Sequence, residues 1–168
     1  HEDEVSLLGQ QLARLAAVAN EKGLPFEYVN LAQLGDQADV IITITSSFTP
    51  ILKASQVRPG THLACMGTDT KGKQEVEAEL VAAATVFTDE IAQAVTIGEA
   101  QHGVGNGLIT AGDIIEIGAV INGDHQGRTR EEEITLFDGT GVALQDLALA
   151  SVAVDVAVSK GVAIEVDF

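Results

Sequence analysis

Tryptophan is absent from this 168-residue chain, and with one tyrosine and five phenylalanines the aromatic share is only 4%. A core without large rings is built from Val, Ile, Leu and Ala, the mix of buried parallel strands with helices packed on both faces. Cysteine is reduced to one residue, Cys65. It has no intrachain disulfide partner, and its place in an apolar run marks it as a buried, inert thiol of a reduced, cytoplasmic compartment. Basic residues are also scarce: nine Lys and Arg stand against 25 Asp and Glu, for a formal charge of −16. Such a surface repels phosphate backbones and anionic lipid, which argues against nucleic acid and membrane partners. No apolar run approaches the ~20 residues of a membrane span. The opening "HEDEVSLLGQ" has neither an initiator methionine nor a signal-like apolar segment, and the only methionine is Met66. The expectation is a processed N-terminus or a piece of a longer protein.

What is present alternates. Hydrophobic residues make up 46% of the chain, enough for one domain with a real core. "EVSLLGQQLARLAAVANEKG" places Val5, Leu8, Leu12, Leu15 and Ala16 at helical spacing, with Gly23 as a stop signal. "LPFEYVNL" reads as a short strand. "ADVIITIT" is a continuous β-branched run, the pattern of a strand buried on both faces. After the turn at Arg58, Pro59 and Gly60 comes "THLACMG", a further strand. Ile41 to Ile44 and Leu63 to Met66 are therefore expected at the centre of a sheet. "QEVEAELVAAA" is expected to be helical, "TVFTD" a strand and "EIAQAVTIGEA" a helix. The glycine-rich "GVGNGLITAGD" reads as a loop, "IIEIGAVING" as a short helix and "EEITLFDGTG" as a fifth strand. "VALQDLALASVAVDVAVSKG" is a long final helix, and the alternating tail "VAIEVDF" suits pairing as a strand.

Strands alternating with helices imply an α/β fold with a mostly parallel sheet and right-handed crossovers. Ligands of such sheets bind beyond the carboxyl ends of the strands. Three ends are suggestive: "IITIT" runs into Ser46 and Ser47, "LACMG" into Thr68 and Asp69, and "TLFDG" into Thr140 and Gly141. Each alone is an ordinary turn composition; together they outline one rim. The segment "MGTDTKGKQE" adds a carboxylate, Asp69, and two ammonium groups, Lys71 and Lys73, at the tip of a strand.

In order and spacing, "ADVIITITSSFTPIL", "RPGTHLACMGTDTKGKQEV" and "GRTREEEITLFDGTGVALQDLALA" resemble the ornithine cyclodeaminase/mu-crystallin family. That family includes alanine dehydrogenases and ketimine or pyrroline-2-carboxylate reductases. The resemblance runs from about residue 24 to about residue 160. It implies residues 1–168 as a single partial Rossmann-type domain binding NAD or NADP, with about 143–168 as its C-terminal helix and tail. It further implies a homo-oligomer acting on a small amino acid or imine. By motif, Thr45 stands where a family threonine meets the cofactor, and Leu63, Ala64, Cys65 and Met66 match the strand end that passes the nicotinamide ribose. Lys73 matches the lysine of "D-x-P-G-K", a cofactor or site contact. Asp69 matches the aspartate implied as general acid/base, a role that suits amine–imine interconversion because a carboxylate there can take and return the nitrogen's proton. Gly139 replaces a serine of "F-D-S-T-G" and loses its hydroxyl, so that contact depends on the backbone NH. Lys71 replaces the usual proline.

Other residues carry less. His62 reads as a satisfied structural histidine. His102 and Glu99 lack further ligands at metal spacing, so no metal is expected. "GVGNG" does not match G-x-G-x-x-G and follows a helix, so it is not a phosphate loop. "REEE" at Arg130 to Glu133 reads as a solvated turn. The Rossmann fingerprint and the first β-α-β unit are missing from the sequence, as are the family's N-terminal substrate domain and its carboxylate-gripping residues. Two functions follow: part of an NAD(P)-dependent imine reductase, amino-acid dehydrogenase or cyclodeaminase, or a non-catalytic Rossmann remnant serving as a binding module. On either, the isolated chain is expected to bind NAD(P) weakly or not at all.

Overall fold

The computed structural model describes residues 2–166, with side chains from Gln10 onward. The first helix, α1 (Glu2–Glu21), follows the helical spacing, and the chain leaves it at Gly23. The expected strand at "LPFEYVNL" does not form. Alternation is present at Leu24, Phe26 and Tyr28, but residues 24–30 pair with no strand and all are exposed. Asn30 instead opens a second helix, α2 (Leu31–Gln37). Its Oδ1 accepts the Gln33 amide at 2.9 Å while Gln33 Oε1 accepts the Asn30 amide at 3.1 Å, a reciprocal cap that uses two otherwise orphaned donors.

Among the described residues, six further strands, four short α-helices and one long one follow β1 (Val40–Thr43). They are β2 (Phe48–Leu52), β3 (His62–Cys65), β4 (Gln74–Val76), α3 (Ala78–Ala83), β5 (Thr85–Thr88), α4 (Ile91–Ala94), α5 (Ala100–Gly105), β6 (Ile114–Glu116), α6 (Ile117–Asn122), β7 (Thr135–Asp138) and the long α7 (Ala143–Ser159). The main sheet has the order β1-β3-β7-β5-β6 and every pair in it is parallel. The last strand in sequence thus lies between β3 and β5. Its register sets Cys65 beside Asp138 and Asp138 beside Thr88, so the carboxyl ends of the strands line up along one rim.

One face of this sheet is sealed. Ile41, Leu63, Cys65, Val86, Ile114 and Leu136 pack with Leu52, Val76, Leu80, Val81 and Ala100 into one buried cluster. Burying a Leu or Val side chain is worth roughly 1.5–3 kcal/mol, and this cluster is the main source of stability in the domain. The opposite face is more open. Ile42 and Ile44 are 66% and 73% exposed, and Met66 is 42% exposed. The expectation that these two strands are buried throughout at the sheet's centre is corrected. β3 is internal, but β1 is the last strand on its side among the described residues, with only Ile41 and Thr43 turned into the core.

The other departures are local. "FTPIL" and "QEV" form a separate two-stranded parallel sheet, β2 with β4, so the helix expected from residue 74 begins only at Ala78. Ile114 to Glu116 are a strand and the helix starts at Ile117. Runs of three residues are too short to show a period of two, which is why the sequence reads both as parts of the neighbouring helices. Part of the expected glycine-rich loop, Gly103 to Gly105, closes α5. The tail shows no strand over residues 162–166, and Asp167 and Phe168 lie outside the described residues. Among the described residues no helix is long and apolar enough to cross a membrane.

Cys65 is fully buried. Burial pushes its thiol well above the ordinary range, and the nearby Glu99 charge adds to the rise. Since the thiolate is the reactive form, the folded chain is expected to show no reaction with a disulfide reagent such as DTNB, and one equivalent after denaturation. Rapid labelling of the folded protein would contradict this placement.

Candidate functional site

The ends of β1, β3 and β7 open onto three loops at the same rim. The loop after β3 carries Asp69 and Lys73. Lys73 Nζ donates to Asp69 Oδ1 at 2.7 Å and to the Gly67 carbonyl at 3.3 Å, and Thr70 Oγ1 donates to the same Oδ1 at 3.1 Å. The Asp69 side chain is 62% exposed whereas that of Lys73 is 17% exposed. The Lys73 and Thr70 hydrogen bonds, followed by the Lys73 charge, hold the Asp69 carboxyl below its ordinary range. The result is an ionised carboxylate with one oxygen fixed and the other free for a ligand.

This loop is fastened from beneath by two carboxylates with no solvent exposure, Glu75 and Glu99. Glu75 Oε1 accepts the Thr45 amide at 2.5 Å, and Oε2 accepts the Thr43 hydroxyl at 2.7 Å and the Gly67 amide at 3.0 Å. Glu99 Oε1 accepts the amides of Glu75 and Val76 at 2.9 and 2.8 Å, and its Oε2 accepts the Thr68 hydroxyl. Burial pushes the Glu99 carboxyl up; the Thr68 and amide donors hold it back in part, and the Glu75 charge adds to the rise. Gln101 Oε1 accepts the Gly72 amide at 2.7 Å, and His102 Nε2 lies 3.0 Å from the Lys73 carbonyl. A Cβ on Gly67 would fall 2.3 Å from the Thr45 carbonyl and 2.5 Å from Glu75 Oε1, so only glycine lets these strand ends meet.

The loop after β7 is held by Asp89. Its Oδ1 accepts the Thr140 hydroxyl at 2.6 Å and the Thr140 amide at 3.1 Å, and its Oδ2 accepts the Gly141 amide at 2.8 Å. Burial raises the Asp89 carboxyl, but the donors from Thr140 and Gly141 outweigh it and leave the group below its ordinary range. Asp138 is different. It is fully buried, Oδ2 accepts the Ala100 amide at 2.9 Å and Oδ1 has no hydrogen-bond partner. Burial pushes its carboxyl up to about 7, with the Glu99 and Ala100 amides opposing and the charges of Glu99 and Asp89 adding.

The residues singled out in the sequence fall into two groups. Thr45, Met66, Asp69, Lys73 and Gly139 all lie at the rim. Thr45 and Gly67 share Glu75, and the Met66 thioether fills the space a Cβ on Gly139 would take, at 2.6 Å from Sδ. The Gly139 amide donates to the Cys65 carbonyl at 3.0 Å, so it is committed to the sheet and does not stand in for the missing serine hydroxyl. Leu63 and Cys65 point into the sealed core, and only half-buried Ala64 faces the open side between them. His62 is satisfied as expected, its Nδ1 2.8 Å from Thr135 Oγ1. Burial and then the Arg128 charge lower its pKa. Glu133 departs from the solvated turn: it accepts the Thr129 amide at 2.8 Å and the Thr85 hydroxyl, bracing the start of β5. Glu75, Asp89 and Asp138 carry no signal in the sequence as site-building groups, and Glu99 reads there only as a poor metal ligand. Nothing in their spacing marks them, because a buried acid is recognised by the donors around it.

An all-parallel α/β sheet with its polar groups at the carboxyl-end rim defines a Rossmann-like nucleotide-binding class of domain. The model of the ornithine cyclodeaminase/mu-crystallin family matches residues 13–161, and the chain belongs to that family. It is 56% identical over 158 residues to iminosuccinate reductase of Paracoccus denitrificans, covering 94% of this chain and 49% of the relative. The crystal structure of an iminosuccinate reductase from that organism in complex with NAD+ superposes with a TM-score of 0.89 at 57% identity, over 94% of this chain and 48% of that one. An archaeal alanine dehydrogenase dimer with bound NAD gives a TM-score of 0.87 at 36% identity, over 93% and 49%. The Thermococcus litoralis Δ1-pyrroline-2-carboxylate reductase, in complex with NADH and L-proline, gives 0.82 at 25% identity, over 88% and 47%. The chain therefore spans about half the length of the relatives it matches. Use of nicotinamide dinucleotides is common to these relatives.

Proposed function

We propose that this chain supplies the nicotinamide-facing part of an NAD-dependent reductase acting on a small 2-imino acid, with iminosuccinate as the substrate to test first. The observation that carries the reading is the Asp69–Lys73 pair, set on the loop after β3 beside the apolar Met66 and Gly139. The residues present fit the uncharged end of the dinucleotide. Met66 and Gly139 offer a flat apolar shelf, and Ala64 and Phe137 continue it along the open face of the sheet. They do not fit the pyrophosphate, because the Thr140 and Gly141 amides are already taken by Asp89.

NADH, when bound there, would supply the hydride to the imine carbon. Asp69 acts at the nitrogen. Its ionised carboxylate holds an iminium N–H at Oδ2 during reduction, and in the oxidative direction takes a proton from the substrate ammonium so that the amine lone pair is free. Lys73 keeps Asp69 ionised and oriented. Iminosuccinate is favoured by the 56% identity to its reductase, against 40% to an archaeal alanine dehydrogenase. The same reading makes the protein a cytoplasmic homo-oligomer, in keeping with a buried reduced thiol and with the row of exposed Leu144, Leu147, Val154 and Val158 on α7.

The test is NADH oxidation by the intact gene product with three imino acids: iminosuccinate formed from oxaloacetate and ammonia, iminopropionate formed from pyruvate and ammonia, and Δ1-pyrroline-2-carboxylate. Iminosuccinate is expected to give the highest kcat/KM, by about tenfold or more, since one extra charged group correctly met is worth ~1.4 kcal/mol or more. A higher value for the cyclic imine would move the substrate. No oxidation with any of the three would overturn the enzyme reading.

A further inference from the structure

The loop from Gly67 to Val76 carries both members of the Asp69–Lys73 pair, and its two ends close over Glu75. We propose that Glu75 is the positioning residue of the site: from inside the core its carboxylate ties Gly67, two residues before Asp69, to Thr43 and Thr45 at the end of β1, and so sets Asp69 against the apolar shelf. This rests on the reading of Asp69 as the acid/base group.

Geometry carries the inference. A buried carboxylate is costly, and packed hydrocarbon of the same volume would serve a core as well or better. What a carboxylate adds is a fixed place for donors. Here both oxygens receive a backbone amide, Thr45 on Oε1 and Gly67 on Oε2, and the Thr43 hydroxyl completes the set. A glutamine cannot replace it, because whichever way the amide is turned its NH2 faces one of those two N–H groups. The consequence reaches Asp69 by two routes. Gly67 and Thr68 lead directly into it, and Lys73, its ionic partner, also donates to the Gly67 carbonyl. Glu99 steadies the device from the other side by holding the Glu75 and Val76 amides and the Thr68 hydroxyl.

The experiment is Glu75→Gln, read by amide hydrogen exchange and by carboxyl NMR of Asp69 in the 168-residue chain, and by kinetics in the intact gene product. Either the Thr45 or the Gly67 amide is expected to lose at least tenfold in protection, the Asp69 titration is expected to rise toward the ordinary carboxylate range, and kcat is expected to fall about tenfold with little change in the KM for NADH, since a small misplacement of a reacting group costs rate before it costs binding. A folded Glu75→Gln chain with both amides protected and an unchanged Asp69 titration would overturn the proposal. Should Glu75→Gln fail to fold, Thr43→Val decides. It removes one donor and leaves both amides, so a smaller upward move of the Asp69 titration is expected, and no move refutes the assignment. If the wild-type protein shows no turnover, the enzyme reading fails, while the NMR measurements still decide the role of Glu75.

Discussion

Asp69→Asn in the intact gene product is expected to lower turnover with an imino acid by at least ~10²-fold, the scale of a lost acid/base group. The variant keeps the shape of the side chain, and its carbonyl oxygen can still take the Lys73 and Thr70 donors that now meet Oδ1. What it loses is the charge and the ability to accept a proton. An amide cannot draw the proton from a substrate ammonium, and it stabilises an iminium far less than a carboxylate does. NADH affinity is expected to change little, because the group acts at the substrate nitrogen. The loss should therefore appear in kcat and in kcat/KM together, the signature of an interaction made in the transition state. Steady-state kinetics of the two proteins at one pH are sufficient. Turnover within about threefold of wild type would reduce Asp69 to a turn residue held by its neighbours.

The second large effect concerns Asp138 and stability. Its carboxyl titrates at about 7 in the fold, against ~3.9 in an unfolded chain. Between those values the folded protein holds a proton that the unfolded chain has released. Stability from this group is therefore greatest at low pH and declines as pH rises from about 4 to about 7, by roughly 1.4 kcal/mol per unit and by up to about 4 kcal/mol in total. Glu99, also raised, adds in the same direction. Asp69 and Asp89, held low, act with the opposite sign, and their contributions are lost only as pH falls through their depressed values. Asp138→Asn isolates the effect. Its carbonyl can keep the Ala100 amide and its NH2 takes the place of Oδ1, which has no partner, so it resembles the protonated acid. Urea unfolding from pH 4.5 to 7.5 should show the wild type losing stability relative to the variant by several kcal/mol. Parallel curves would mean that Asp138 is ionised in the fold.

Four of the five strands of the parallel core were legible because each runs for four residues with an apolar centre. "ADVIITIT", "HLAC", "TVFT" and "TLFD" could be placed from composition alone, and each lies in the sheet. What the sequence could not show is which faces are covered. A β-branched run states that a strand suits burial on two sides, whereas Ile42 and Ile44 lie open at the edge of the described sheet. Segments of three residues, and the Asn30 cap, were decided by tertiary pairing and by one side-chain hydrogen bond each way. The site divides similarly. Asp69 and Lys73 were legible through the family's motif, and their spacing of four residues agrees with the 2.7 Å pair. The buried acids beneath them were not. Glu is rarely fully buried, so Glu75 within "GKQEV" reads as one more surface acid until the amides of Thr45 and Gly67 are seen on it.

Whether this rim receives the nicotinamide end of the cofactor is read at Met66. It is the only methionine in the chain, so a 13C-methyl label gives a single resonance, and its thioether lies against Gly139 on the proposed shelf. Without a G-x-G-x-x-G turn the sequence provides no cradle for the pyrophosphate, so binding by the 168-residue chain should be weak, with a dissociation constant of about 1 to 10 mM. Exchange that fast moves a resonance smoothly during titration. NADH and reduced nicotinamide mononucleotide are both expected to shift the Met66 methyl, and AMP at the same concentration is expected to leave it in place. A methyl that stays in place up to about 10 mM NADH, or that moves equally with AMP, would contradict that placement of the nicotinamide.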